Sequence, residues 1–376
     1  MIGPLDEYPL HQAPLPVAWA ASSDRNFYDR CYLNAHDRTG DIFVITGAGY
    51  YPNLGTKDAF VLVRRGDEQT VVRLGDAIDA DRLNQRVGPY RIEVVEPLKR
   101  LRVVLEETEG VAMDLTWEGS FDVLQEQPHI MRTGGRITLD AQRFAQVGTW
   151  TGSITVDGEE ISVTPDRWVG TRDRSWGIRP VGEPEPAGRP ADPPFEGMWW
   201  TYVPVRFDEF AIVLIMQEQP DGFRTLNDCT RIWKDGRVEQ LGWPHVQVRY
   251  APGTRTPTGA SIDCTTPDRK AVRLEVESLL AVPLHVGAGY GGDPDWSHGM
   301  WKGPGFAERA TYDLTDPGIA GRFMFGVVDH VARVTCDGVE GWGLFEHAAM
   351  GRHDPSGFPD WFAVASEAPV TPQPEG

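Results

Sequence analysis

The chain has 376 residues, 40% hydrophobic and 24% charged, enough apolar material for two domains or one large one. A formal charge of −19 and a pI near 4.9 argue against nucleic acid or an anionic membrane as partner, since both favour basic surfaces. Its four cysteines, Cys31, Cys229, Cys264 and Cys336, form no Cys-x-x-Cys pair, so neither a zinc ribbon nor a redox motif is indicated.

Strand signals dominate in chain order. Alternating or β-branched runs predict strands at 41–45, 59–64, 90–95, 101–105, 136–139, 152–156, 161–164, 200–205, 210–216, 230–234, 246–250, 261–264, 272–277, 321–327 and 330–335. Gly66-Asp67, Asp157-Gly158, Asp235-Gly236 and Asp337-Gly338 separate several of them, and such dipeptides favour hairpins because both residues tolerate positive φ. Short helices are expected only at 76–83 and 141–145. With 41 Gly and 30 Pro, the chain reads as all-β with long loops. The longest apolar run, 210–216, is too short to span a bilayer. The first residues show no basic region and no apolar stretch, so a cytoplasmic protein is expected.

Residues 180–195 are rich in proline and glycine and divide the chain nearly in half. The expected organisation is a β domain at 1–180, a linker or loop at 181–195, a β-barrel-like domain at 196–365 and a disordered tail at 366–376. An internal echo links the halves. Ile154-Thr-Val-Asp-Gly-Glu-Glu leads on to Trp168, and Val334-Thr-Cys-Asp-Gly-Val-Glu leads to Trp342.

The most unusual stretch is residues 166–180. It gathers Arg167, Arg172, Arg174 and Arg179 with Asp166, Asp173, Trp168 and Trp176. An apolar core excludes such a mixture, because a buried unpaired charge costs several kcal/mol. A polar, partly buried site is expected there. If 171–176 is a strand, Arg172, Arg174 and Trp176 share one face and Asp173 and Ser175 the other. The pattern leaves open which face meets a cavity.

Gln146-Val-Gly-Thr-Trp-Thr-Gly-Ser-Ile-Thr-Val-Asp-Gly-Glu-Glu, followed by Arg172-Asp-Arg-Ser-Trp-Gly-Ile-Arg, resembles a signature of two-domain lipocalin-like proteins. These are similar to carotenoid 1,2-hydratase (hydroxyneurosporene synthase) and the AttH-like proteins. Residues 27–58 resemble their first strands, and Gly341-Trp-Gly-Leu-Phe-Glu-His their closing strand. The resemblance implies two lipocalin-like antiparallel β-barrel or sandwich halves with a ligand cavity at or between them. It also implies activity on isoprenoids or other large hydrophobic molecules, by hydration, cyclisation or binding alone. Arg174 stands where the family form has His, so the resemblance does not extend to a His-dependent proton transfer.

A carboxylic acid that protonates an alkene needs a raised pKa, which an apolar surround provides and neighbouring arginines oppose. Aromatic faces can hold the resulting cation. The candidate catalytic residues are Asp173, Arg172 and Glu346. The candidate substrate-binding residues are Trp168, Arg174, Trp176, Arg179, Trp199, Trp200, Tyr202 and Tyr51. The same charges would equally serve as a buried ion network pinning the halves together. Adjacent pairs such as Trp199-Trp200 and Glu346-His347 face apart on a strand, so one member of each can line a cavity. Asp293, His298 and His285 match no standard metal spacing. Gly287-Ala-Gly-Tyr-Gly-Gly lacks the helix and Lys of a phosphate cradle, and no Gly-x-Ser-x-Gly elbow occurs.

The leading expectation is therefore a hydratase, isomerase or cyclase without cofactor or metal, a lyase or isomerase on a terpenoid or lipid-like substrate. A non-catalytic carrier of a hydrophobic small molecule is the first alternative. A carbohydrate-active β protein is the second, with Asp173 and Glu346 as the facing carboxylates.

Overall fold

The computed structural model describes residues 1–181, 188 and 192–366. Most of the expected linker and nearly all of the expected tail lie outside the described residues. The fold is all-β and built from two curled antiparallel sheets. The first sheet runs from Glu68–Ala77 through Thr56–Arg65, Ile42–Tyr51, Phe27–His36 and Val169–Ile178 to Arg136–Val156. It continues through Val111–Gly119, Arg100–Thr108 and Tyr90–Glu96 to Gln85–Val87. The second runs from Val238–Gln240 through Arg224–Trp233, Phe210–Glu218, Gly197–Arg206 and Val339–Gly351 to Val328–Cys336. Its remaining strands are Ala271–Pro283, Pro257–Thr265 and Gly242–Tyr250. One strand from the second half, Phe306–Asp313, pairs with Glu68–Ala77 and so extends the first sheet.

Strand alternation feeds three separate cores. In Phe210–Glu218, Ile212, Leu214 and Met216 point into the second sheet's own curl. Ala211, Val213 and Ile215 point toward the first sheet. In Ile42–Tyr51, Ile42 and Val44 likewise enter the first sheet's interior, while Phe43 and Ile45 join the layer between the sheets. A strand buried on both faces reads as a continuous apolar run rather than an alternating one, which is why 210–216 looked uniformly apolar. The two sheets therefore meet face to face. Asp157-Gly158 and Asp337-Gly338 both take positive φ at both positions, the geometry of a tight hairpin.

Three expected elements differ. Residues 141–145, with their helix-forming Ala, Gln and Arg, lie inside one 21-residue strand, Arg136–Val156. Pairing with Val169–Ile178 along residues 140–149 overrides the local preference. Residues 76–77 end the strand Glu68–Ala77, and 78–83 form a loop instead of a helix. Asp79 accepts from the Asp81 N–H (2.9 Å) and Asp81 from the Leu83 N–H (3.1 Å), local bonds that compete with a helix. Residues 321–327 belong to neither sheet and hold a single 3₁₀ turn, Phe323–Phe325. They follow a short helix, Pro317–Ala320, begun by the Asp316 side chain on the Gly318 N–H (2.7 Å). Among the described residues no helix is long and apolar enough to cross a membrane.

Candidate functional site

Val169–Ile178 is a central strand, paired with Phe27–His36 on one side and Arg136–Val156 on the other. Glycines bracket its charged segment where the neighbouring backbones come closest. A Cβ at Gly170 would sit 1.9 Å from the Asn34 carbonyl oxygen, and one at Gly177 (φ 135°) would sit 2.0 Å from that of Asp140. Asn34 locks the register further. Its side chain donates to the Thr171 hydroxyl (2.7 Å) and accepts from the Thr171 N–H (2.9 Å).

This register sets the phase. Asp173 lies between Tyr32 and Ala145, which both belong to the layer between the sheets. Arg172 lies between Leu33 and Gln146, and Arg174 between Cys31 and Phe144. Those two arginines line a cavity inside the first sheet. The second sheet faces Asp173 with a matching row: Tyr202, Glu346 and Asp329 stand opposite one another on three adjacent strands.

Between the two rows is a hollow of about 240 Å³, lined by Asp173, Glu346, Arg143, Trp200, Tyr202 and Tyr290 among others. Among the described residues no hydrogen bond engages the Asp173 carboxyl, which is half-buried and opens into the hollow. Desolvation pushes its pKa up to about 7; Arg143 opposes the rise, and the like charges of Glu126 and Glu346 reinforce it. Arg143 cannot neutralise it outright, because Glu126 holds that guanidinium at 2.6 Å.

Burial raises both Glu346 and Asp329; the Glu346 charge pushes Asp329 up further, whereas a hydrogen bond with Asp329 draws Glu346 back, so the pair retains a proton in conditions where two surface acids would both be charged. Trp200 Nε1 donates to Glu346 (2.5 Å) and the Tyr32 hydroxyl donates to Asp329. Arg179, which also lines the hollow, is held by His298 (2.9 Å) and lies over the Tyr28 ring at 4.8 Å.

The structure thus brings together Asp173, Glu346, Arg179, Trp200 and Tyr202. It places the other candidates elsewhere. Arg172 and Arg174 face away from the hollow, and Trp176 is on their side, with its ring 6.5 Å from Phe144. Trp168 is in the core of the first sheet and Trp199 in that of the second. Tyr51 sits behind the hollow wall, accepting a hydrogen bond from Arg30, whose guanidinium also pairs with Asp58 at 2.8 Å. His347 turns into the second sheet, where Tyr250 meets it at 2.9 Å. Asp293 is held by Arg73 and Arg322, and His285 and His298 each bond a backbone carbonyl.

Sequence reasoning missed Asp329, Tyr32, Arg143, Glu126 and Tyr290. Asp329 did carry a signal: it is the lone acid within Val327-Val-Asp-His-Val-Ala. A carboxylate in so apolar a run is costly unless a partner meets it.

Two curled β-sheets meeting face to face around an acid-lined hollow define the class of protein. A model described as "Family of unknown function (DUF8625)" matches residues 2–359, and the chain belongs to that family. No curated protein matches the sequence. Among solved structures the chain is similar to an AttH protein of Nitrosomonas europaea. That likeness has a TM-score of 0.53 at 15% identity and covers 90% of this chain and 98% of that one. It is also similar to kievitone hydratase of Nectria haematococca, with a TM-score of 0.51 at 14% identity, covering 86% and 89%. At these identities the likeness is one of fold alone, two curled antiparallel β-sheets.

Proposed function

We propose that the chain is a cofactor-independent enzyme of hydratase or cyclase type that protonates a double bond of an apolar substrate between the two sheets. One observation carries the reading: the Asp173 carboxyl, its pKa pushed up to about 7 by burial, opens into a hollow walled in part by aromatic rings and meets no hydrogen bond from the described residues. A neutral carboxylic acid in an apolar site is a competent proton donor at pH 7. The fold likeness to a protein named as a hydratase supports the reaction class, although fold alone does not decide chemistry.

In the proposed reaction the Asp173 O–H bond breaks and its proton forms a C–H bond with one alkene carbon. The adjacent carbon becomes cationic and is held by the faces of Trp200, Tyr202 and Tyr290. Water then donates a lone pair to that carbon, and the proton it releases goes to the ionised member of the Asp329–Glu346 pair; the pair gives that proton up to solvent as solvent returns one to Asp173. Attack by a second double bond in place of water closes a ring and moves the positive charge to the far carbon of that bond, where loss of a proton to the same pair ends the reaction. The hollow is below the roughly 300–1,000 Å³ of sites that enclose drug-sized ligands. It suits the reacting segment of a terpenoid or lipid-like substrate, with the remainder outside.

The test is incubation of the full chain with a panel of isoprenoid alkenes in ¹⁸O-labelled water, beside Asp173→Asn. Labelled alcohol from the parent and none from the variant is expected. Equal turnover by both would remove Asp173 as the acid, and uptake of an alkene without any product would leave a binding protein.

A further inference from the structure

The cavity inside the first sheet contains a cation with no ion-pair partner among the described residues, the Asp173 charge acting on it only at longer range. Arg172 is 7% exposed. Its Nε donates to Gln146 Oε1 at 2.8 Å. Gln146 is itself fixed, since its Nε2 donates to the carbonyls of Leu98 (2.8 Å) and Phe121 (2.7 Å). Arg172 Nη2 is sealed from solvent and has no partner. Among the described residues no carboxylate pairs with this guanidinium. Asp29 and Gln85 engage neighbouring Arg174 instead, at 2.9 and 3.1 Å, and Asp173 is on the opposite face of the strand. Cys31 supplies no thiolate, because burial raises its pKa.

Desolvation pulls the pKa of Arg172 down to about 10, which still leaves it charged at neutrality. An isolated cation in such a place is expensive unless something pairs with it. The surrounding cavity holds about 200 Å³, with Leu33, Ile92, Leu101 and Phe144 on its walls and Val94 and Leu98 at its edge. Val94 and Leu98 are 47% and 49% exposed, so an apolar lip leads from solvent to the buried charge.

We propose that the first sheet encloses a second ligand site, separate from the hollow between the sheets, that takes an amphipathic monocarboxylate. Its carboxylate pairs with Arg172 Nη1, the guanidinium nitrogen that is neither bonded to Gln146 nor sealed from solvent. Its alkyl chain lies along the aliphatic wall and leaves past Val94 and Leu98. The wall offers an inorganic anion little besides that one nitrogen. The site does not depend on the catalytic reading of Asp173.

Calorimetric titration of the full chain at pH 8 with sodium octanoate, 1-octanol and sodium sulfate tests this. Octanoate is expected to bind at least tenfold more tightly than octanol, and sulfate not at all. Arg172→Met is expected to weaken octanoate at least tenfold and to leave octanol unchanged. Val94→Trp, at an exposed position where folding is not at stake, is expected to slow octanoate association at least tenfold by narrowing the lip. Undiminished octanoate binding by Arg172→Met, an unchanged on-rate in Val94→Trp, or no octanoate binding at millimolar concentration would each overturn the proposal.

Discussion

The two faces of Val169–Ile178 carry opposite charges in opposite states. Toward the second sheet, Asp173 is pushed up to about 7. Toward the first sheet's interior, Arg172 is pulled down to about 10. The residues are adjacent in sequence, yet neither serves as the other's ion-pair partner, because a strand sends neighbours to opposite sides. Had they faced one another, each would have stabilised the other's charge and the two shifts would have run the other way. Alternation keeps an acid protonated and a cation unpaired within one dipeptide.

Removing the acid should break this contrast most sharply. Asp173→Asn is expected to lower turnover of an alkene substrate by about 10²–10⁴-fold, the range for loss of a positioned acid. Steady-state rates on any alkene of the panel that the parent converts, with circular dichroism to verify the fold, measure it.

The pH profile comes next. Because the working form of Asp173 is protonated, turnover should fall as pH rises through about 7 and then drop about tenfold per unit. Stability follows the same group. A carboxyl raised from 3.8 to about 7 contributes stability that is fully present below the ordinary value and lost as pH climbs through the folded one. The melting temperature of Asp173→Asn should therefore gain on the parent between about pH 4 and 7 and hold that gain above it.

The other face gives a smaller effect of definite sign. Arg172→Met replaces a buried unpaired cation with an apolar chain of similar length, and should stabilise the protein by about 1–3 kcal/mol in denaturant unfolding. Equal or lower stability would mean that the charge is compensated. The smallest expected shift is in the position of the pH profile of Glu346→Gln, whatever turnover it loses as part of the proton-accepting pair. The substitution removes one of the like charges that raise Asp173, so the falling limb of the pH profile should move to lower pH.

Much of the fold was legible in the residues. Apolar runs and the Asp157-Gly158 and Asp337-Gly338 hairpins mark an all-β chain, and they do so because strand and tight-turn geometry is local. The candidate site was legible in part. Asp173, Glu346, Arg179, Trp200 and Tyr202 meet at one hollow although they come from both halves. Arg143 escaped notice because Ala141-Gln-Arg-Phe-Ala reads as helix, and a residue in a helix would not form a wall with Asp173. Asp329 escaped because the run 330–335 begins one residue after it, while the strand begins at Val328. Trp168 and Trp199 were drawn in by their size, yet large rings fill cores as readily as they line sites.

By itself the sequence determined that Arg172 and Asp173 point apart, since the pleat of a strand allows nothing else. Which of them would look into the space between the sheets was decided only when Phe27–His36 and Arg136–Val156 closed on either side in a fixed register. The raised acidity threshold of Asp173 came later still, when the second sheet, which begins at Gly197, packed over it. Periodicity is carried by neighbours along the backbone, whereas dielectric and charge environment are properties of whatever packs across the gap.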